Sequence, residues 1–214
     1  MPADQIHLVR HGEVFNPDGV LYGRIPGFHL SDLGRAMAQA AADDLIARDR
    51  RISRLYTSPL QRARESGEPI AAGLGLEPRI EERIIEPTNA FEGRKMSGPG
   101  GALRDPRMWR FFYNPWRPSW GESFTSLSTR MMAAMTDAHA SVDEGDVVMV
   151  SHQSPIWIAH RTIMGESLPH DPRKRRCALS SITTFERRGD RFVEVGYTDP
   201  AAALAAGATD VGAV

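Results

Sequence analysis

The sequence has little of three features that would each point to a class of protein. Cys177 is its only cysteine, so no disulfide can form within the chain. The formal net charge of −1 and the sequence pI of about 6.7 argue against a general nucleic-acid binder. No apolar stretch approaches the roughly 20 residues needed to span a bilayer. The first residues lead straight into a short apolar run, without a basic segment and apolar leader. We therefore expect a cytoplasmic protein that does not enter a membrane.

Length and composition indicate a single domain. The 214 residues, 41% of them apolar, suffice for one α/β domain with a sizeable core. We assign this domain to residues 1–200 and expect the Ala- and Gly-rich tail at 201–214 to be frayed. Apolar runs of strand length alternate with segments of helical periodicity, which is typical of a mainly parallel sheet covered on both faces. The prediction is a three-layer αβα sandwich.

Local signals place the elements of this sandwich along the chain. Strands are predicted near 5–10, 54–56, 79–84 and 147–151, followed by a hairpin of 182–187 and 192–197. Helices are predicted after the N-cap Ser31, from about 59, and over 122–143 and 155–164. Ligands in such folds bind beyond the carboxyl ends of the strands. The residues that directly follow strands are therefore candidates for a site.

Histidines and arginines follow these strand ends. Arg10-His11-Gly12 comes at the end of the first strand, and Ser151-His152-Gln153 at the end of the strand at 147–151. Between them, Arg62 lies early in the helix that begins after Thr57-Ser58. Unprotonated imidazole is a nucleophile, and guanidinium groups match the oxygens of a phosphoryl dianion. The pattern favours a site for a phosphoryl group.

Five phrases, in order, resemble the histidine phosphatase superfamily, also called the phosphoglycerate mutase-like family. They are Arg10-His11-Gly12-Glu13, Leu30-Ser31-Asp32-Leu33-Gly34, Tyr56-Thr57-Ser58-Pro59-Leu60-Gln61-Arg62-Ala63, Phe91-Glu92-Gly93 and Val150-Ser151-His152. The phrases cover most of the chain, from residue 5 to about 160. The resemblance implies a phosphoglycerate mutase-like fold and an enzyme that transfers a phosphoryl group. Glu122-Ser123 after Gly121 is similar to a phrase of the phosphatase branch, although it also fits a plain helix start.

The resemblance implies roles for four residues. His11 would accept the phosphoryl group on a ring nitrogen, giving a phosphohistidine intermediate. Arg10 and Arg62 would grip the phosphoryl oxygens, because phosphoryl transfer depends mainly on positioning and charge stabilisation. His152 would donate a hydrogen bond to the same group. The function implied is a phosphomonoesterase acting on a phosphorylated small molecule.

A carboxyl group is needed to protonate the leaving alkoxide and later to deprotonate water. The candidates are Glu81, Glu82, Glu86 and Glu92. Many members of the resembled family have a glutamate a short loop before an aromatic-Glu-Gly phrase. Glu86 stands in that place before Phe91-Glu92-Gly93, about one residue closer than is common, and Glu82 is the reserve.

Three further residues are candidates for substrate binding. Asn16 resembles the asparagine that follows the family's Arg-His-Gly phrase, but a turn role before Pro17 fits it too. Arg24 lies where the family closes over its substrate, and a plain surface arginine is the alternative. Gln153 directly follows His152.

Other segments are assigned simpler roles. The basic run Arg173-Lys174-Arg175-Arg176 is interpreted as a solvated loop. The histidines show no zinc-ligand spacing, so we expect neither a metal nor another cofactor. Residues 94–120 are interpreted as an insertion over the site, with Trp109, Trp116 or Trp120 facing the substrate. A phosphoglycerate mutase-type phosphotransferase and a non-catalytic phospho-ligand binding protein are the alternatives, and a homodimer is left open.

Overall fold

The computed structural model describes residues 2–95 and 121–211, and its central element is a six-stranded sheet. The strands are β1 (Gln5–Arg10), β2 (Ile52–Thr57), β3 (Arg79–Ile80), β4 (Asp146–Ser151), β5 (Ile182–Arg188) and β6 (Arg191–Thr198). Their order across the sheet is β3-β2-β4-β1-β5-β6. The first four strands are mutually parallel, and β5 and β6 add an antiparallel edge. The mainly parallel sheet is confirmed.

In the described part of the chain, four α-helices cover the two faces of this sheet. They are α1 (Asp32–Ala47), α2 (Gln61–Leu74), α3 (Phe124–Ala140) and α4 (Gln153–Ile163). Helices α1 and α2 pack on one face, where Leu45 and Ile70 share a buried cluster with Val148. Helices α3 and α4 pack on the other face, where Met131 and Ile156 meet β1 and β4 residues. The three-layer sandwich is confirmed. Within the described residues, no helix has both the length and the hydropathy needed to cross a membrane.

Two glycines bring the loop after β1 against the start of α1. A Cβ atom on Gly12 would lie 2.3 Å from the carbonyl oxygen of Gly34, and one on Gly34 would lie 2.0 Å from that of Glu13. Either substitution would force two backbone segments apart. Ser31 caps α1 by accepting a hydrogen bond from the Gly34 amide at 2.9 Å. This close approach fixes the backbone that directly follows His11.

The structure differs from the expectation at two places. The strand expected over 79–84 ends after Ile80, because the Glu81 carboxylate accepts the amide of Arg83 at 3.0 Å and caps a 3₁₀ helix, Glu82–Ile84. The tail expected to be frayed forms a 3₁₀ helix, Ala202–Gly207, as far as it is described. Its Leu204 packs with Met37 and Leu179 of the domain, so burial of apolar surface holds the tail down. The expected insertion at 94–120 lies, beyond residue 95, outside the described residues.

Candidate active site

The residues singled out for chemistry meet at the carboxyl edge of the sheet. Arg10 ends β1, His152 follows β4, and Arg62 lies in the first turn of α2. The ring centroids of His11 and His152 are 5.1 Å apart. Four of these side chains are at most 2% exposed, and Glu86 is 5% exposed. The sheet therefore gathers two imidazoles, two guanidinium groups and a carboxyl group into one shielded site.

His11 is oriented by a single bond to the backbone. Its Nδ1 lies 2.7 Å from the carbonyl oxygen of Gly12. Because a carbonyl only accepts, Nδ1 carries the proton and Nε2 keeps its lone pair. Burial, followed by the charges of Arg62 and Arg10, lowers the pKa of His11 well below 6.5. The imidazole is therefore neutral, with a nucleophilic nitrogen turned into the site.

Arg62 faces that nitrogen. Its Nε lies 3.3 Å from Nε2 of His11, and its Nη2 donates to the carbonyl oxygen of Gly23 at 2.7 Å. The guanidinium carbon lies 4.7 Å from the ring centroid of Tyr22, in a cation–π contact. Within the described residues, no carboxylate forms an ion pair with Arg62. A buried cation without a counter-charge is costly, so this arrangement suits an anion bound against His11.

The ring of His152 is held by a hydroxyl group. Its Nε2 lies 2.7 Å from Oγ of Ser58, whereas its Nδ1 is buried and has no partner in the described part of the chain. Burial, followed by the charge of Arg62, lowers the pKa of His152 well below 6.5. If Ser58 donates to Nε2, the proton of the neutral ring lies on Nδ1 and can be donated to a ligand. Ser58 was not among the predicted site residues, because its only sequence signal is its place in the Thr57-Ser58-Pro59 phrase.

Glu86 is the buried carboxyl group of the site. Burial raises the pKa of Glu86, although a hydrogen bond from Ser154 and the charge of Arg62 act in the opposite direction. Its Oε2 is buried without a hydrogen-bond partner among the residues described. The reserve candidate, Glu82, is exposed in the 3₁₀ helix. Geometry therefore favours Glu86 as the group that exchanges a proton inside the site.

The guanidinium group of Arg10 is engaged by a residue from the C-terminal tail. Its Nη1 donates to the carbonyl oxygen of Cys177 at 2.6 Å and to Oδ2 of Asp210 at 2.8 Å, while Nη2 donates to Oδ1 of Asp210 at 2.6 Å. The amide of Thr209 also donates to Oε1 of Glu13 at 2.6 Å. Sequence reasoning missed Asp210, because it lies 200 positions from Arg10 in a tail of weakly apolar composition.

Arg175 corrects the interpretation of the basic run as a solvated loop. Arg173, Lys174 and Arg176 are exposed, but Arg175 turns inward. Its Nε donates to Nε2 of His170 at 2.9 Å, and its Nη1 donates to Oε1 of Gln153 at 3.2 Å. The loop bends here because Asp171 accepts the amide of Arg173 and caps a one-turn 3₁₀ helix.

The inward position places Arg175 beside the buried carboxyl group of Glu86. Its Nη1 lies 3.4 Å from Oγ of Ser154, the hydroxyl that binds Glu86. Burial lowers the pKa of Arg175, and the charge of Glu86 opposes that effect. Within the described residues, Arg175 has no carboxylate at ion-pair distance. It is therefore a second partly buried cation whose charge is not neutralised.

The three substrate-binding candidates have different surroundings. Asn16 bonds Val20 twice, donating to its carbonyl oxygen at 2.8 Å and accepting from its amide at 3.2 Å, which is the turn role. Arg24 donates from Nε to the carbonyl oxygen of Glu86 at 2.5 Å, so it supports the backbone of that residue. Gln153 accepts from Arg175, as described above, and lies at the start of α4.

No group of three or more His, Cys, Asp or Glu side chains that could hold a metal ion occurs in residues 2–95 and 121–211. Trp109, Trp116 and Trp120, one of which was expected to face the substrate, lie outside the described residues. The described site thus combines histidines and arginines with the buried carboxyl group of Glu86 and the Asp210 carboxylate that binds Arg10. Such a set can transfer a phosphoryl group by nucleophilic and general acid–base catalysis.

Comparisons with known proteins identify the family of the chain. A family model described as "Histidine phosphatase superfamily (branch 1)" matches residues 6–200. The uncharacterised protein Rv0525 of Mycobacterium tuberculosis is 50% identical over 204 residues, which cover 94% of this chain and 100% of that protein.

Solved structures of other proteins share the fold. A phosphoserine phosphatase variant from Entamoeba histolytica, in complex with phosphoserine, is 21% identical with a TM-score of 0.72 and covers 92% of this chain and 97% of its own. The mycobacterial glucosyl-3-phosphoglycerate phosphatase Rv2419c, in complex with VO3, is 23% identical with a TM-score of 0.73 and covers 90% and 98%. At these identities the likeness concerns the fold.

Proposed function

The chain belongs to the histidine phosphatase superfamily, branch 1, and on this premise we propose that it is a phosphomonoesterase that hydrolyses a phosphorylated small molecule through a phosphohistidine on His11. One observation carries the proposal. Nδ1 of His11 is bound to the Gly12 carbonyl oxygen at 2.7 Å, so Nε2 presents its lone pair 3.3 Å from the buried Nε of Arg62. A nucleophile and a cation that binds an anion thus face the same point.

In the proposed first step, Nε2 of His11 attacks phosphorus, and the bond between phosphorus and the leaving oxygen breaks as the N–P bond forms. Glu86 gives its proton to the leaving oxygen, which departs as an alcohol. Its raised pKa supports this role, because the proton is kept to higher pH than in an ordinary carboxyl group. Arg10, Arg62 and His152 hold the other three oxygens and stabilise their charge.

In the second step, water attacks phosphorus on the side that the alcohol has left. The Glu86 carboxylate takes a proton from this water, the N–P bond breaks, and inorganic phosphate departs. His11 returns to its neutral state with the proton still on Nδ1. One carboxyl group serves both steps because it ends the first step deprotonated and the second step protonated.

Arg175 supports a narrower description of the substrate. The leaving oxygen must lie beside Glu86 to receive its proton, and Arg175 is next to Glu86 through Ser154. A cation without a carboxylate partner at that place would attract an anionic group on the leaving alcohol. Phosphoserine and glucosyl-3-phosphoglycerate, named for two proteins of the same fold, both carry a carboxylate there. We therefore propose phosphomonoesters of carboxylated alcohols as the preferred class.

A hydrolysis screen tests the proposal against its alternatives. Purified protein is incubated with a panel of phosphorylated metabolites, with a mutase assay on 2- and 3-phosphoglycerate in parallel. We expect free phosphate from carboxylated alkyl phosphates, abolished in His11→Ala and retained in the control His29→Ala, a histidine of the neighbouring loop. Rapid interconversion of the phosphoglycerates without phosphate release would assign a mutase. Binding without turnover of any substrate would assign a non-catalytic protein.

A further inference from the structure

The guanidinium group of Arg10 has hydrogen-bond partners on one edge and unused donors on another. A guanidinium group has five N–H donors, one on Nε and two on each Nη. Both hydrogens of Nη1 are used, by Cys177 and by Asp210, and Nη2 spends one on Asp210. The remaining donors are Nε–H and the second hydrogen of Nη2, which lie side by side on the same edge. Nε is buried and has no partner in the described chain.

That open edge has the spacing that an oxyanion needs. Arginine binds carboxylates and phosphates through two parallel N–H bonds from a planar fork. Asp210 occupies the end-on fork formed by Nη1 and Nη2, so a phosphoryl group can still bind the side-on fork of Nε and Nη2. The charge of Arg10 also reaches His11 and Glu86, where it affects both pKa values. Arg10 directly precedes His11 in the chain, so its guanidinium group belongs to the same site.

The C-terminal tail is anchored to the domain at the residue directly before Asp210. The amide of the preceding residue, Thr209, donates to Oε1 of Glu13 at 2.6 Å, and the other oxygen of Glu13 accepts from the N-cap hydroxyl of Ser31 at 2.5 Å. Glu13 thus joins the tail to the start of α1. Asp210 is 38% exposed at its side chain, whereas Arg10 is 1% exposed. The carboxylate reaches in from the surface to a buried guanidinium group.

We propose that Asp210 is a positioning residue that locks Arg10 with its Nε–Nη2 edge directed at the phosphoryl group. The C-terminal tail is then part of the working site. This inference rests on the proposed function, because it assigns the phosphoryl group as the ligand of Arg10. The alternative is that the Asp210 carboxylate competes with phosphate for Arg10. Competition would require both anions to bind the same edge of the guanidinium group, whereas Asp210 binds the Nη1–Nη2 edge and leaves the Nε–Nη2 edge open.

The test compares Asp210→Asn, Asp210→Glu and the matched control Asp190→Asn, which changes an exposed acid in the turn between β5 and β6. Asn keeps the size of the side chain but can accept only one of the two bonds. Displacement of a group that holds the substrate can cost on the order of 10²-fold. We expect Asp210→Asn to lower kcat and weaken orthovanadate binding, each about 10-fold or more, with Asp210→Glu restoring part of the loss and Asp190→Asn unchanged.

A double-mutant cycle separates positioning from a structural role. If Asp210 acts through Arg10, Asp210→Asn should have little further effect in an Arg10→Lys background, because the planar fork is already lost. Unchanged activity and vanadate affinity in Asp210→Asn would overturn the inference. So would activation, which would make the tail a competitor, or fully additive losses with Arg10→Lys.

Calorimetric titration with orthovanadate distinguishes a failure of this inference from a failure of the proposed function. It measures the anion bound by Arg10 even in a protein that turns over no substrate. If the unaltered chain binds vanadate but hydrolyses no phosphomonoester, the proposed function fails, and the three variants still decide the role of Asp210.

Discussion

Replacing Glu86 by Gln should separate proton donation from binding. Gln keeps the volume and can still bond Ser154, but it has no proton to give. General acid–base catalysis contributes roughly 10²- to 10⁴-fold, and 10²-fold corresponds to about 3 kcal/mol of activation free energy. We therefore expect kcat for glycerol phosphate to fall by about 10²-fold or more, with KM little changed. An aryl phosphate such as p-nitrophenyl phosphate should lose less than about 10-fold, because its leaving group needs little protonation.

The pH dependence of kcat/KM is a second test of Glu86→Gln. In the unaltered enzyme, kcat/KM should fall at low pH as His11 gains a proton, at a pKa below 6.5. It should fall again at higher pH as Glu86 loses its proton, at a pKa above 4.5. Glu86→Gln should lose only the second fall. Equal losses on the alkyl and aryl substrates, or a larger effect from the control Glu82→Gln, would refute the assignment.

Two further substitutions test the substrate class and the fold. Arg175→Gln should raise KM for carboxylated alkyl phosphates about 10-fold or more, on the scale of a lost charged hydrogen bond, and leave p-nitrophenyl phosphate unchanged, with exposed Arg173→Gln as control. Equal effects on both substrates would contradict the proposed subsite. For Asp146, burial alone would raise the pKa, but hydrogen bonds led by Arg50 lower it from 3.8 to about 2. Its charge should contribute about 2 kcal/mol above pH 4, lost as the pH falls toward 2. Urea unfolding of Asp146→Asn at pH 7 should show this loss, and Asp190→Asn should not. An unchanged midpoint would contradict the reasoning.

Much of the fold could be predicted because its signals are local. The run Val147–Val150 is buried on both faces, so it reads as continuous apolar sequence. Ser31 caps α1 as its type suggests. The strand expected over 79–84 was wrong beyond Ile80, because the Glu81 carboxylate accepts the amide of Arg83 and caps a 3₁₀ helix there.

In the candidate site, too, the residues with local sequence signals could be predicted and those that depend on distant contacts could not. His11 and His152 follow strands that turned out to be neighbours, so parallel pairing of β1 and β4 brings them together. Asp210 could not be found, since nothing near it in the sequence indicates a contact across the whole chain. The inward position of Arg175 could not be predicted, because in sequence it does not differ from the exposed basic residues on either side. Both contacts depend on tertiary packing, which no local pattern encodes.

The central claim is that His11 carries the phosphoryl group between substrate and water. Rapid quenching during turnover of a ³²P-labelled phosphomonoester tests it most directly. The account predicts label on the protein that is stable to base and labile to acid, located by peptide mapping at His11, and absent from His11→Ala. Label that persists in His11→Ala, or steady hydrolysis by the unaltered enzyme through a site that does not include His11, would contradict the account.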